Sequence, residues 1–125
     1  MNVIDSSAWL EYFAAAENAS FFAAAIENTA EVIVPSLSLY EVFKRIIQQR
    51  TESDALQAVA VMQQGRVVDL DARIALQAAR ISVDLKLPLA DSVMLATART
   101  HDSTLWTQDS HFDGIPGVKY KEASK

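Results

Sequence analysis

Residues 2–13 read NVIDSSAWLEYF, and the change of rhythm inside this stretch decides the fold. Asn2 to Asp5 is a short β-rich run closed by an acid, after which Ser6-Ser7 opens a helical pattern with Trp9, Leu10 and Phe13 on one side. A strand that feeds straight into a helix is the first half of an α/β unit. The same alternation recurs along the chain. A helix is expected over Ala19–Glu27, where Phe21, Phe22, Ala25 and Ile26 fall at helical spacing. Glu31–Val34 is the next strand, stopped by Pro35. Ser36 caps a helix that ends near Arg50, with Tyr40, Phe43 and Ile47 as its apolar stripe. Another helix runs over Ser53–Gln64, with Leu56, Val59 and Met62 inward, and Gly65 ends it. Arg66–Leu70 is the third strand, and a helix follows over Asp71–Lys86 with Ile74, Leu76, Ala78 and Ile81 among its apolar residues. The Leu87-Pro88 step breaks that helix, because the residue before proline is pushed away from α geometry. A helix over Ala90–Thr100, a strand over Thr104–Thr107 and an edge strand over Gly117–Tyr120 complete the pattern. Strands alternating with helices predict an α/β three-layer sandwich, with a parallel sheet of four to five strands covered by helices on both faces. Ligands of such sheets bind beyond the carboxyl ends of the strands.

The 125 residues, half of them hydrophobic and with only three Gly and three Pro, fit a single domain spanning residues 1–125. The N-terminus has no basic region followed by an apolar core, and the longest apolar run is too short for a membrane span. The expectation is a cytoplasmic soluble protein. With no cysteine there is no disulfide framework and no thiolate metal site, so any metal must be held by oxygen or by His101 and His111. The net charge of −5 argues against a broad basic binding face. It does not argue against a metal-mediated phosphate contact. Set four candidate ligands aside and 12 acids face 11 basic residues, so the rest of the chain is nearly neutral.

Those four acids are Asp5, Glu41, Asp91 and Asp109. Singly, each has an ordinary structural reading. Asp5 suits a helix cap, Glu41 suits an ion pair with Lys44 or Arg45, Asp91 suits the first turn of a helix, and Asp109 suits an Asx turn. Taken together they come from four separate segments that a small α/β chain brings together at its strand ends and helix starts, with Glu41 inside the helix opened by Pro35-Ser36. Carboxylates gathered in that way repel one another unless a cation sits between them, and hard divalent ions such as Mg²⁺ or Mn²⁺ favour such oxygen ligands. In the metal-free protein the repulsion should raise the pKa of at least one of them. His111 and His101 read as surface loop residues, and Lys44, Arg45 and Arg50 as a solvated helix face with nucleic-acid contact as the alternative. No Gly-rich phosphate loop, Ser/His/Asp triad or Cys/His zinc spacing is present.

The ordered set Val3-Ile4-Asp5-Ser6-Ser7, Leu39-Tyr40-Glu41-Val42, Leu89-Ala90-Asp91-Ser92 with Leu95-Ala96-Thr97-Ala98, and Trp106-Thr107-Gln108-Asp109 resembles the PIN-domain ribonucleases. It is most similar to the VapC-type toxins of bacterial toxin–antitoxin pairs. The resemblance spans nearly the whole chain. It implies Mg²⁺- or Mn²⁺-dependent endonucleolytic cleavage of RNA, often structured RNA such as tRNA. By the same resemblance the metal-binding catalytic acids are Asp5, Glu41, Asp91 and Asp109, with Thr107 as a polar neighbour in the site. It also implies neutralisation by a small cognate antitoxin and a homodimer. Asp113 matches only loosely and takes no role. Two other classes fit parts of the pattern. One is a phosphoacceptor receiver domain, with Asp69 ending a central strand and Lys119 late in the chain. The other is a non-catalytic binding module on the same fold.

Overall fold

Val3 and Ile4 of strand β1 (Asn2–Ile4) have no solvent exposure, as befits a strand with covered faces on both sides. In the computed structural model, which describes residues 1–124, β1 is the middle strand of five. The others are β2 (Val32–Pro35), β3 (Arg66–Val68), β4 (Thr104–Thr107) and β5 (Val118–Tyr120), in the order β3-β2-β1-β4-β5. Every pairing is parallel, with Val3 opposite Ile33 on one side and Leu105 on the other. β5 is an edge strand as the sequence predicts. Gly65 leads into β3 at a close approach to β2. A Cβ there would meet the Val32 and Val34 side chains and the Val32 carbonyl, all at 3.0 Å.

Parallel strands need crossovers, and helices supply them on both faces. Helices α1 (Ser6–Phe13), α2 (Ala19–Glu27), α3 (Ser36–Gln49) and α4 (Glu52–Met62) enclose one core around Trp9, Phe22, Val42 and Met62. Helices α5 (Ala72–Leu85) and α6 (Leu89–Thr100) enclose the other, around Ile74, Ile81, Met94 and Phe112. Every residue of α6 from Asp91 to Ala98 is buried, so its first turn is carried into the interior. No helix is long and apolar enough to cross a membrane among the described residues.

Several sequence expectations are out of phase with the structure. Of the expected stripe Tyr40, Phe43, Ile47, only Phe43 packs against the core. Val42 and Ile46 are buried with Ser38, whereas Tyr40 and Ile47 are exposed. Both phases have helical spacing, and the direction in which β2 delivers the chain chooses between them. Ser36 does not cap α3; Ser38 Oγ donates to the Pro35 carbonyl at 2.7 Å instead. Leu56 and Leu76 point outward, because the small residues Ala55, Ala58 and Ala78 take the close helix contacts. Asp69 does not follow a central strand. β3 lies at the sheet edge and Asp69 is exposed.

Candidate metal centre

Asp5 stands one residue beyond β1, and its N–H still donates to the Trp106 carbonyl at 2.9 Å, so the sheet fixes the backbone right up to this acid. It occupies the N-cap position of α1, yet its carboxylate caps no helical N–H. Two hydroxyls claim it instead. Ser7 Oγ donates to Asp5 Oδ2 at 2.8 Å, and Thr107 Oγ1 donates to the same oxygen at 2.9 Å. Because Ile4 is paired with Trp106, the next residues along each strand, Asp5 and Thr107, are brought side by side. Thr107 Oγ1 also accepts the Asp109 N–H at 3.0 Å, which ties the fourth acid to the first.

Asp109 opens a 3-10 turn (Ser110–Phe112) by accepting the His111 N–H at 2.9 Å. That turn swings the His111 ring over the start of α6. Its Nδ1 lies 2.9 Å from Asp91 Oδ2 and 3.0 Å from Asp109 Oδ1. One ligand atom from each of Asp91, Asp109 and His111 lies within 4.8 Å of the others. Glu41 comes from α3, where its Oε1 accepts Ser6 Oγ at 2.7 Å. Among the described residues it makes no ion pair with Lys44 or Arg45, contrary to the ordinary reading of that spacing. Asp5, Glu41, Asp91 and Asp109 all line one cavity of about 370 Å³ at the carboxyl ends of β1 and β4.

A family model for the PIN domain matches residues 3–118. The chain belongs to the PIN domain family. No curated protein sequence matches it significantly. Among solved structures the PIN domain here is similar to a toxin–antitoxin complex from Klebsiella pneumoniae, at 23% identity and a TM-score of 0.79 over 95% of this chain and 96% of that one. It is also similar to VapC20 of Mycobacterium tuberculosis, a sarcin-ricin loop cleaving toxin, at 17% identity and a TM-score of 0.75 over 93% and 95% of the two chains. FitAcB from Neisseria gonorrhoeae gives 16% identity and a TM-score of 0.74 over 96% of each chain. At these identities the likeness is one of fold.

The electrostatics of this PIN domain follow from crowding acids into its interior. Burial raises the pKa of Asp5 most, the Ser7 and Thr107 hydroxyls pull it back, and the charges of Glu41 and Asp109 raise it further. Asp91 is pushed up to about 6, first by burial and then by the neighbouring charges of Asp109 and Asp5, with the His111 hydrogen bond opposing. Repulsion thus acts as the sequence predicts, but desolvation outranks it. His111 is held above its ordinary value by the charge of Asp109 and the bond to Asp91.

The donor set suits a hard divalent ion, since it offers carboxylate oxygens with one imidazole beside them. The position of His111 is a second indication of fit. A side chain that gains by becoming a cation has settled between Asp91 and Asp109. The sequence admits His111 as a possible ligand but favours a surface loop residue, because only the turn after Asp109 aims its ring toward the acids. Ser7 was legible merely as part of a helix start. Its tie to Asp5 needs the chain direction fixed by β1.

Proposed function

We propose that the protein is a metal-dependent endoribonuclease, the toxin of a toxin–antitoxin pair, hydrolysing RNA phosphodiester bonds with Mg²⁺ or Mn²⁺. The observation that carries this reading is the gathering of Asp5, Asp91 and Asp109 round one cavity, with the Thr107 hydroxyl tied to two of them, in a PIN-family chain. Asp5, Glu41, Asp91 and Asp109 are the residues that would hold the ion, with His111 at its side. When bound, the metal supplies Lewis-acid polarisation of the scissile phosphate and lowers the pKa of the attacking water. The chain's own groups do the rest. Ser7 and Thr107 leave Asp5 one free oxygen in a fixed direction, and Ser6 does the same for Glu41. Glu41 or Asp109 can accept a proton from water in the cavity. Thr107 acts through Asp5 and Asp109 and is a positioning residue.

The structural relatives include toxin–antitoxin complexes and a sarcin-ricin loop cleaving toxin, which supports structured RNA as the substrate class and a small antitoxin as partner. The antitoxin inhibits by covering the cleft and placing an Arg or Lys among Asp5, Asp91 and Asp109, where charge-assisted pairing favours it. A groove of about 590 Å³, lined by Leu10, Phe13, Ile46 and Val61, gives the rest of that partner an apolar seat and shares Ser7, Leu10 and Arg45 with the acidic cleft. The receiver reading fares poorly by comparison. Asp69 is exposed, follows an edge strand and does not line the acidic cavity, and Lys119 lies against the Trp106 ring at 5.4 Å.

The test is cleavage of total RNA and tRNA by the purified protein with chelator, Mg²⁺ or Mn²⁺, alongside Asp5→Asn. Metal-dependent cleavage lost in the variant supports the reading. Wild-type protein that cuts no RNA with either metal refutes it.

A further inference from the structure

The phase of α3 leaves an unusual group on the lip of the acidic cleft. Tyr40, 59% exposed, stands beside Lys44 and Arg45, and all three line the same cavity as Asp5, Asp91 and Asp109. Lys44 Nζ is 3.3 Å from the Tyr40 hydroxyl but 5.5 Å from the ring centroid. These distances place the ammonium nearer the hydroxyl than the ring centre, and more than half of the Tyr40 surface remains exposed. Glu41, the acid best spaced to neutralise Lys44 and Arg45, is held by Ser6 instead. Among the described residues neither cation is in an ion pair. A large exposed aromatic next to two uncompensated cations is the composition of a single-strand platform, in which a base stacks on the ring and phosphates meet the cations.

We propose that Tyr40, Lys44 and Arg45 form a strand-positioning platform that stacks an unpaired base of the RNA beside the scissile phosphate and neutralises the flanking phosphates. The inference rests on the ribonuclease reading and adds to it a requirement for an unpaired nucleotide at the cut. Charge decides for RNA as occupant. The carboxylates on the inner side of the cleft repel a polyanion, so a strand can approach only where cations offset them, and Lys44 and Arg45 are the two basic residues lining this cavity. None of the three residues is among the proposed metal ligands, although they line the same cavity. The platform's contribution to RNA binding can therefore be read in the absence of metal.

The experiment measures binding of a short fluorescent single-stranded RNA by anisotropy in chelator at low salt. The same RNA carrying 2-aminopurine reports stacking by its quenching. Tyr40→Ala should weaken binding by about 5- to 150-fold and abolish quenching, with the salt dependence unchanged, while Tyr40→Phe should restore both. Lys44→Ala and Arg45→Ala should each reduce the slope of log affinity against log salt by about 0.7 and leave the quenching of bound RNA intact. In cleavage with metal, Tyr40→Ala should raise KM on a looped substrate. Undetectable wild-type binding, or wild-type affinity and quenching in Tyr40→Ala, overturns the platform. Unchanged RNA binding in all three variants would give this face to a protein partner. If wild-type protein cuts RNA while these variants behave as wild type, the platform fails and the ribonuclease reading stands. If the variants behave as expected but no metal supports cleavage, the platform stands as a binding surface and the ribonuclease reading fails.

Discussion

Replacing Asp91 by Asn should stabilise the metal-free protein, although it removes a residue proposed to be essential. The carboxyl has a pKa of about 6 in the fold against an ordinary value of 3.8. Holding it ionised at neutral pH therefore costs up to about 3 kcal/mol at 1.36 kcal/mol per unit. Asn keeps the shape and the contact with His111 but still suffers part of the desolvation, so the variant recovers about 1–2 kcal/mol. For a chain of this size that is a rise in Tm of roughly 4–8 °C. A raised carboxyl adds stability below its unfolded pKa and loses that contribution as pH rises through its folded value. For Asp91 the window runs from about pH 4 to about pH 6. His111, also raised, loses its contribution in the same direction as pH climbs past its ordinary range. Wild-type protein in chelator should therefore melt higher at pH 5 than at pH 8, and the advantage of Asp91→Asn should appear at pH 8 and vanish at pH 4. A metal that binds only the folded state adds about 2.7 kcal/mol at 100 times its dissociation constant, and the variant should gain much less. The assay is a set of thermal melts of both proteins in chelator, Mg²⁺ and Mn²⁺ at three pH values. A variant that melts below wild type at pH 8 in chelator, with an equal gain from metal, would show Asp91 to be an ordinary first-turn residue.

Asp5→Asn should reduce RNA cleavage on the order of 100-fold or more while circular dichroism stays native, since the amide preserves the shape but not the charge. Thr107→Val removes the hydroxyl shared by Asp5 and Asp109; cleavage should fall about 10–100-fold, and Thr107→Ser should restore most of it. For His111→Ala, metal titration of activity should show a higher half-saturating concentration with kcat recovered at excess metal. Its Tm in chelator should drop at pH 5 and change little at pH 8. Recovery failing at any metal concentration would assign His111 a role in proton transfer. Trp9→Ala, a fully buried core truncation far from any charge argument, should cost about 3–5 kcal/mol in denaturant unfolding.

Strand and helix alternation was legible because Val3-Ile4, Val32 to Val34 and Leu105 are short apolar runs between turn residues, and that pattern has few alternatives. The four acids were legible as a set because Asp5 and Asp109 follow such runs, while Glu41 and Asp91 each stand beside apolar residues near the start of a helix. What escaped was phase. A helix with apolar residues at 39, 42, 43, 46 and 47 can present either of two stripes, and only the docking of α3 onto β2 selects one. That choice put Tyr40 on the cleft instead of in the core. His111 escaped for another reason, since its direction is set by a single Asx-type turn at Asp109, and nothing in local composition reports where a turn points. The rank of burial over repulsion at Asp91 was also hidden, because it depends on α6 being enclosed along its length.

The bond between Thr107 and Asp5 joins residues 102 positions apart, and β1 must wait for β4 before the acidic cavity has a floor. During synthesis, at roughly 5–20 residues per second, Asp5 therefore spends on the order of 5–20 s without its partner. A chain arrested or cut before Thr104 has made Asp5, Glu41 and Asp91 yet cannot assemble them. On the ribonuclease reading, a nascent chain that has not yet reached Thr107 therefore cannot cleave RNA.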